Sequence, residues 1–359
     1  MKKICIVVGA RPNFVKVAPL IRAIQKTDGA DYELIYTGRR DDPTLESSLF
    51  EDLQMPHPQV CFGVDSTKLN EITSQVIDKF DSYLEFSPAD IVIVVDDLAS
   101  TMAAAITAKK RGIRVAHLVA GTRSFDMAMP KEVNRLVIDA LSDYLFTAGV
   151  RSNSVATREQ AEGSNTYMVG NILMDTLRFN HQRLRRPDID VEQGQYLVFT
   201  LNRKALLADE THLRQMLDAI TEAANGLPVI APLRGQAREV VESIINNCQL
   251  SIVNCQFSLI PSLPYLEFGW LTAHARGIIT DSGNVAEEAT FNGVPCITLN
   301  SYTEHQETVT TGTNVLVGED PQLLSEAVAR MVAGQWKQGA LPDRWDGRTA
   351  ERIASILLA

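Results

Sequence analysis

Residues 280–288 combine the residue types of a phosphate-binding turn. The segment reads Thr-Asp-Ser-Gly-Asn-Val-Ala-Glu-Glu and follows an apolar run, 277–279, that is typical of a buried strand. Small residues at a strand-to-helix turn let backbone N–H groups approach a phosphate, and the helix N-terminus adds about half a positive charge. Glu287 or Glu288 could then accept hydrogen bonds from a ribose. The pattern predicts a nucleoside diphosphate site at Ser282, Gly283, Asn284 and Glu288.

Two adjacent carboxylates, Asp96 and Asp97, end the most hydrophobic run of the chain, 91–95. Hydrophobic packing gives no reason for two acidic residues at the end of a buried strand. Burial or the charge of its neighbour would raise the pKa of one of them and suit it to general acid or base catalysis. The alternative for Asp97 is capping of the helix that follows.

Basic residues at predicted loop positions could bind an anionic substrate. Arg11 lies in the turn after the strand 4–8, and Lys16 lies near the start of the helix that follows. Solvated helix charges are the alternative interpretation. Other candidates for substrate contacts follow later strands, namely Arg123, Arg135, Arg203 and Glu304, the last as a partner for sugar hydroxyls or as a helix cap. We expect His117 to be a strand-end residue satisfied by backbone groups.

Strand-like and helix-like segments alternate along the chain and predict an α/β fold with parallel sheets covered by helices. The alternation stops at the polar segment 182–194 and restarts at 196–200. We therefore expect two Rossmann-like domains, 1–181 and 194–345, with a last helix, 346–359, packing back on the first. Ligands would bind in a cleft between the domains, outside the carboxyl ends of the strands.

Composition excludes several classes of function. The net charge is −10 and the apolar content 45 %, so we expect neither nucleic acid nor an anionic membrane surface as a partner. No stretch reaches the ~18 apolar residues of a membrane helix. The five cysteines form no C-x-x-C pair and no His lies at zinc-ligand spacing, which predicts no metal site and a reducing, cytoplasmic location.

Several ordered motifs are spread along nearly the whole chain. They are Gly9-x-Arg11-Pro12, 123–135 (Arg-Ser-Phe-Asp-x-x-Met-Pro-x-Glu-x-Asn-Arg), Val169-Gly170-Asn171, 264–268, 281–288 and Thr311-Gly312-Thr313-Asn314. Together they resemble the non-hydrolysing UDP-N-acetylglucosamine 2-epimerases. The resemblance implies a glycosyltransferase-B-like (GT-B) fold, UDP or a UDP-amino sugar as ligand, no cofactor, a homodimer or a dimer with a paralogue, and a place in cell-surface polysaccharide synthesis. It also implies elimination of UDP and its re-addition with inversion at carbon 2.

The chain departs from this family where proton transfer is expected. Val119 and Lys131 stand where the family has glutamates, and Asn202 stands where it has a histidine. Asp97 matches the family's acid, so a rearranged set of Asp97 with Asp96, Glu132 or Lys131 would carry the chemistry. Gly38-Arg39 replaces a Gln-His pair, which argues against a regulatory second-substrate site.

Two alternatives to an isomerase follow from these departures. One is a catalytically impaired paralogue that binds a nucleotide sugar, for example as the partner of an active epimerase. The other is a glycosyltransferase or hydrolase that uses the same scaffold.

Overall fold

The computed structural model describes residues 1–247 and 257–359, so Cys248 and Cys255 lie outside the described residues. The described chain forms two compact units, one of residues 1–181 with 343–359 and the other of residues 182–342.

Thirteen strands and fifteen α-helices alternate through the described residues, with a short 3-10 helix at His181–Arg183. The strands are β1 (Lys2–Val8), β2 (Ala30–Tyr36), β3 (Val60–Cys61), β4 (Ile91–Val95), β5 (Arg114–Ala120), β6 (Tyr144–Thr147), β7 (Asn165–Met168), β8 (Leu197–Thr200), β9 (Val229–Pro232), β10 (Phe257–Ile260), β11 (Gly277–Thr280), β12 (Cys296–Thr298) and β13 (Asn314–Leu316). The helices are α1 (Arg11–Gln25), α2 (Ser47–Leu53), α3 (Leu69–Phe86), α4 (Ala99–Lys110), α5 (Pro130–Leu141), α6 (Val150–Glu159), α7 (Ile172–Asn180), α8 (Lys204–Ala208), α9 (Glu210–Ala223), α10 (Gly235–Asn247), α11 (Tyr265–Ala273), α12 (Gly283–Asn292), α13 (Gln306–Thr310), α14 (Pro321–Val332) and α15 (Thr349–Leu358).

The first unit is built on a parallel sheet with the strand order β3-β2-β1-β4-β5-β6-β7. The central strand β4 is a continuous β-branched run and every one of its residues is buried, as burial on both faces of a parallel sheet requires. One face packs on α3, α4 and α5 through Phe80, Ala104 and Ile138. The strand order reverses between β1 and β4, and ligands bind at such switch points in doubly wound sheets.

The second unit repeats this topology with the order β10-β9-β8-β11-β12-β13, again all parallel. One face of its sheet packs on α9 and α14 through Leu213, Ile220 and Val328. Its switch point lies between β8 and β11. The two parallel sheets confirm the pair of Rossmann-like α/β domains that the alternation of strands and helices predicted.

The segment expected to be a linker, 182–194, packs within the second unit. Val191 belongs to a core cluster with Tyr196 and Trp270, and Arg185 donates its backbone N–H to the Leu266 carbonyl. The polar composition of 182–194 gave no sign of these contacts, because they are made by backbone groups and by only a few apolar side chains.

The C-terminal helix α15 lies in the first unit. Both carboxylate oxygens of Asp175, in α7, accept backbone N–H groups at the helix start, from Thr349 at 3.0 Å and Ala350 at 2.8 Å. Ile353 and Leu357 are buried on the opposite side of the helix from its solvent face. A carboxylate at a helix N-terminus satisfies otherwise unpaired N–H groups.

Candidate functional site

Asp96 lies at the switch point of the first sheet, directly after β4. Its two carboxylate oxygens accept from Lys16 Nζ at 2.6 Å and from Asn13 Nδ2 at 2.8 Å, both on α1. Asn13 also turns its amide oxygen to the Gly9 N–H at 2.9 Å, which fixes the turn between β1 and α1. Lys16 is buried, and its positive charge is paired with the carboxylate of Asp96. Arg11 is the first residue of the same helix and is partly buried.

Asp97 is held by cations of α5. Arg135 donates to its Oδ2 from Nε at 2.9 Å and from Nη2 at 2.6 Å, and the ammonium of Lys131 lies 3.6 Å from its Oδ1. Asn134 donates to the Asp97 carbonyl at 2.8 Å. Lys131 is the most exposed of these groups, with 60 % of its side chain accessible.

The expectation that burial raises the pKa of Asp97 is wrong. Burial does act in that direction, but the charges of Lys131 and Arg135 and the hydrogen bonds from Arg135 outweigh it, so the pKa of Asp97 is lowered. Asp97 is therefore an ionised carboxylate at neutral pH, able to accept a proton but not to donate one.

The side chain of Glu132 binds the loop that precedes α5. Its carboxylate accepts from the backbone N–H of Ser124 at 2.8 Å, from the Ser124 hydroxyl at 2.9 Å and from the Phe125 N–H at 3.1 Å. Arg135 donates to it as well, at 3.1 Å. Burial would raise its pKa, but these hydrogen bonds hold the pKa below the usual value for a glutamate. The geometry thus gives Glu132 a loop-holding role, and its part in proton transfer stays a prediction.

Val119 occupies a β-bulge at the end of β5. The register with β6 shifts between Leu118 and Ala120, and Val119 has a φ of 76°. A β-branched residue is a steric outlier in this left-handed region, at a cost on the order of 1–3 kcal/mol. That Val119 stands where the family has a glutamate stays a prediction, and the sequence gave no signal of the bulge.

His117 and Arg123 belong to a buried polar cluster under this bulge. Asp139 Oδ1 lies 2.5 Å from His117 Nδ1, and Asp139 Oδ2 lies 2.7 Å from Arg123 Nη1. Arg123 also pairs with Glu159 at 2.9 Å, and only 2 % of its side chain is exposed. Two carboxylates engage its guanidinium, so a contact of Arg123 with substrate stays a prediction. His117 is satisfied by a side chain as well as by backbone.

The phosphate-type turn of the second unit lies at its switch point, after β11. Ser282 is the N-cap of α12 and its hydroxyl accepts from the Val285 N–H at 3.5 Å. The Ser282 N–H donates to the Thr280 hydroxyl at 3.0 Å, which in turn bonds Thr200 of β8 at 2.7 Å. Gly283 and Asn284 form the first turn of the helix, both partly buried.

Arg203 is tied to the loops beside this turn. Its guanidinium donates to Asn300 Oδ1 at 2.7 Å and pairs with Glu319 at 3.0 Å. Asp281 accepts the Asn202 N–H at 2.9 Å, and burial raises the pKa of Asp281 despite its backbone hydrogen bonds.

His305 is a component of this turn that the sequence prediction did not select. Its Nδ1 lies 2.8 Å from the buried Glu287 Oε1, and a Cβ on Gly283 would come within 2.8 Å of its Cδ2. Gly283 is thus needed for close approach of the imidazole to the helix start. Glu288 is buried on α12, and Glu304 is partly buried in the loop before α13.

A cavity of 460 Å³ lies at the carboxyl ends of β1 and β2. Arg39, on its wall, pairs with Asp41 at 2.6 Å and with Asp65 at 2.9 Å. No group of three or more metal-ligating side chains is assembled among residues 1–247 and 257–359. Within the same ranges, no helix combines the length and apolarity needed to cross a membrane.

Residues 22–358 match the family model for UDP-N-acetylglucosamine 2-epimerase. The chain belongs to this family. It is 31 % identical to the UDP-N-acetylglucosamine 2-epimerase of Methanocaldococcus jannaschii, over 99 % of this chain and 98 % of the relative. It is 30 % identical to the UDP-2,3-diacetamido-2,3-dideoxy-D-glucuronate 2-epimerase of Pseudomonas aeruginosa, over 99 % of each chain.

Among solved structures, the chain is similar to the Methanocaldococcus jannaschii UDP-GlcNAc 2-epimerase crystallised in complex with UDP-GlcNAc and UDP. The TM-score is 0.84 at 31 % identity, and the match covers 99 % of both chains. The family and fold that the motifs implied are therefore confirmed. Membership identifies the chain as epimerase-like, while the role of each site residue is a separate question.

Proposed function

We propose that this protein binds a UDP-amino sugar and isomerises it at carbon 2 by elimination and re-addition of UDP. The observation that carries this proposal is the end-to-end likeness to an epimerase crystallised with UDP-GlcNAc and UDP. Both switch points of the chain also hold polar groups of the required kinds, carboxylates with cations in the first unit and a Ser-capped helix start in the second.

The second unit supplies the nucleotide site in this proposal. Backbone N–H groups at Gly283 and Asn284 and the Ser282 hydroxyl would bind the diphosphate, and the carboxylate of Glu288 would accept from the ribose hydroxyls. Arg11 and Lys16 of the first unit and Arg203 of the second are our candidates for further contacts to the substrate. Lys16 and Arg203 are already ion-paired, with Asp96 and Glu319. Glu304 would bind sugar hydroxyls.

The first unit supplies proton transfer. Asp97 is ionised, so it can take the proton from carbon 2 while the bond between carbon 1 and the UDP oxygen breaks. An unsaturated sugar and free UDP result. UDP then re-adds to carbon 1 while carbon 2 receives a proton on its opposite face. The ammonium of Lys131, the most exposed of these groups, is our candidate for that donor, whereas both carboxylate oxygens of Asp96 accept hydrogen bonds from α1. The proton taken by Asp97 returns to solvent or to the donor, so the cycle has no net proton change.

A second candidate function, binding without turnover, is favoured by one set of observations. Val119 has no proton to transfer, Glu132 is fully engaged with its own loop, and Arg135 lowers the proton affinity of Asp97. The loss of an acid or base costs ~10²–10⁴ in rate. Turnover slower than that of a family member with the glutamates and histidine in place is expected under either candidate.

Nucleotide binding is tested by calorimetric titration of the full chain with UDP. Ser282→Ala removes a hydrogen bond to a charged ligand group, which is worth about 1.5–3 kcal/mol, so we expect UDP affinity to fall about 10- to 150-fold. Glu288→Gln replaces a charged acceptor by a neutral one with a single acceptor oxygen, so we expect a smaller fall. Ser282→Ala also costs the α12 cap about 1 kcal/mol of stability.

The matched control is Asp320→Ala, which removes the N-cap of α14 in the same unit. It should lower stability to a similar degree without changing UDP affinity. Wild-type affinity in both Ser282→Ala and Glu288→Gln would remove these residues from the nucleotide site.

A further inference from the structure

We propose that His117 is a positioning residue that stays protonated at neutral pH and anchors the Asp96–Asp97 turn. The argument begins with its two neighbours. Nδ1 lies 2.5 Å from Asp139 Oδ1, and Nε2 lies 2.9 Å from the backbone carbonyl oxygen of Asp96. A neutral imidazole carries a single N–H, so it can donate only one of these two hydrogen bonds.

Both neighbours are acceptors. The Asp96 carbonyl has no proton to give. Asp139 is ionised, because its ion pair with the buried Arg123 guanidinium at 2.7 Å favours the charged carboxylate. The second oxygen of Asp139 accepts from Arg123 and from the Gly121 N–H at 3.1 Å, as a carboxylate does. Both contacts of His117 are satisfied only by an imidazolium.

The charges around His117 are compatible with this assignment. Asp139 and Arg123 are almost fully buried, and Glu159, with 32 % of its side chain exposed, pairs with Arg123 at 2.9 Å and with Arg158 at 3.6 Å. With His117 protonated, the carboxylates of Asp139 and Glu159 face the positive charges of His117, Arg123 and Arg158, so no buried charge is left without a partner of opposite sign.

The bond from His117 reaches the residue that begins the candidate catalytic turn. Asp96 has a φ of 58°, in the left-handed region, so its conformation needs support from its surroundings. His117 holds its carbonyl, the Leu118 carbonyl accepts its N–H at 3.2 Å, and α1 holds its carboxylate. The direction in which Asp97 leaves the strand follows from this backbone conformation.

Deprotonation of His117 would break the anchor. One ring nitrogen would then face an oxygen lone pair, and either Asp139 or the Asp96 carbonyl would lose its partner. The charged groups around His117 are Asp139 directly, Arg123 through Asp139, Glu159 and Arg158 of α6 through Arg123, and Lys16 of α1 through the Asp96 carboxylate. All of them lie in the first unit, so the nucleotide turn of the second unit should not respond.

The charge of His117 is tested by NMR of imidazole nitrogens in full-length protein labelled at histidine. His117→Gln assigns its signals, and His181→Gln, at an exposed position, is the control. At pH 7.5 we expect both His117 nitrogens to carry protons. A single protonated nitrogen at that pH would overturn the proposal.

The positioning role is tested by amide hydrogen exchange and by turnover. In His117→Gln the Asp96 amide should exchange faster. The turnover measurement rests on the proposed function. There we expect kcat to fall on the order of 10²-fold and KM to stay within about twofold, since a misplaced catalytic group lowers the rate by about that factor. Wild-type kcat and wild-type Asp96 exchange in His117→Gln would overturn the role.

These experiments distinguish an error in this proposal from an error in the proposed function. If wild-type protein shows no turnover, the proposed function fails, while the nitrogen signals and the Asp96 exchange still decide whether His117 is a charged anchor.

Discussion

At the scale of the residue, charge pairing decides what the candidate site can do. Position in the sequence predicted that Asp96 and Asp97 follow a buried strand, because the apolar run before them is unambiguous. It could not predict which cation each would meet, since Lys16 and Arg135 come from different helices. The sign of the Asp97 pKa shift depends on those partners, and for that reason the sequence-based expectation was wrong.

The strain at Val119 gives a residue-scale prediction. Glycine accepts a φ of 76° without steric cost, so relief of strain should offset most of what Val119→Gly loses in packing and chain entropy. We expect the free energy of unfolding to change by no more than about 1 kcal/mol. Val115→Gly, in the same strand, removes a fully buried side chain from an ordinary conformation and should cost about 3 kcal/mol or more.

Denaturant unfolding of the two variants measures this difference. Equal destabilisation by Val119→Gly and Val115→Gly would show that the bulge stores no strain at Val119.

At the scale of the element, strong local patterns were predictable and weak ones were not. The runs that became β1, β4 and β11 are continuous and apolar, so their strands were expected. The short strands β3 and β7 were not, because β3 has two residues and β7 (Asn165–Met168) has a polar, partly exposed sequence at the edge of its sheet. Helix α1 contains Pro19 and runs through that residue.

Pro19 illustrates how a neighbouring element completes a helix. A proline has no N–H, so the carbonyl four residues earlier, at Val15, loses its helical donor. The hydroxyl of Thr176, in α7, donates to that carbonyl at 2.6 Å, and the bond is buried. Removing this donor leaves a buried carbonyl unsatisfied, which costs about 1–3 kcal/mol.

We therefore expect Thr176→Val to lower the free energy of unfolding by about 1–3 kcal/mol. In a Pro19→Ala background, the backbone N–H restored by that substitution can donate to the Val15 carbonyl, so Thr176→Val should cost less. A double-mutant cycle by denaturant unfolding measures the coupling. Additive effects would contradict a shared role for Pro19 and Thr176 at this carbonyl.

At the scale of the whole molecule, the chain is two doubly wound units, each with polar groups at its switch point. Alternation of strands and helices predicted this architecture, and the right-handed crossover rule limits such alternation to few topologies. Alternation could not predict the strand orders or the packing of 182–194, because both depend on contacts between residues far apart in sequence. With a net charge of −10, the molecule as a whole repels an anionic nucleotide sugar, so binding must come from local groups.

The most direct test of isomerase activity is proton NMR of the purified full chain with UDP-amino sugars in heavy water. We predict exchange of the proton on carbon 2 and appearance of the carbon-2 epimer, with Asp97→Asn reducing the rate ~10²–10⁴-fold. The substrates are UDP-N-acetylglucosamine and UDP-2,3-diacetamido-2,3-dideoxy-D-glucuronate. Calorimetric binding of UDP without exchange or epimer from either sugar nucleotide would contradict the proposal.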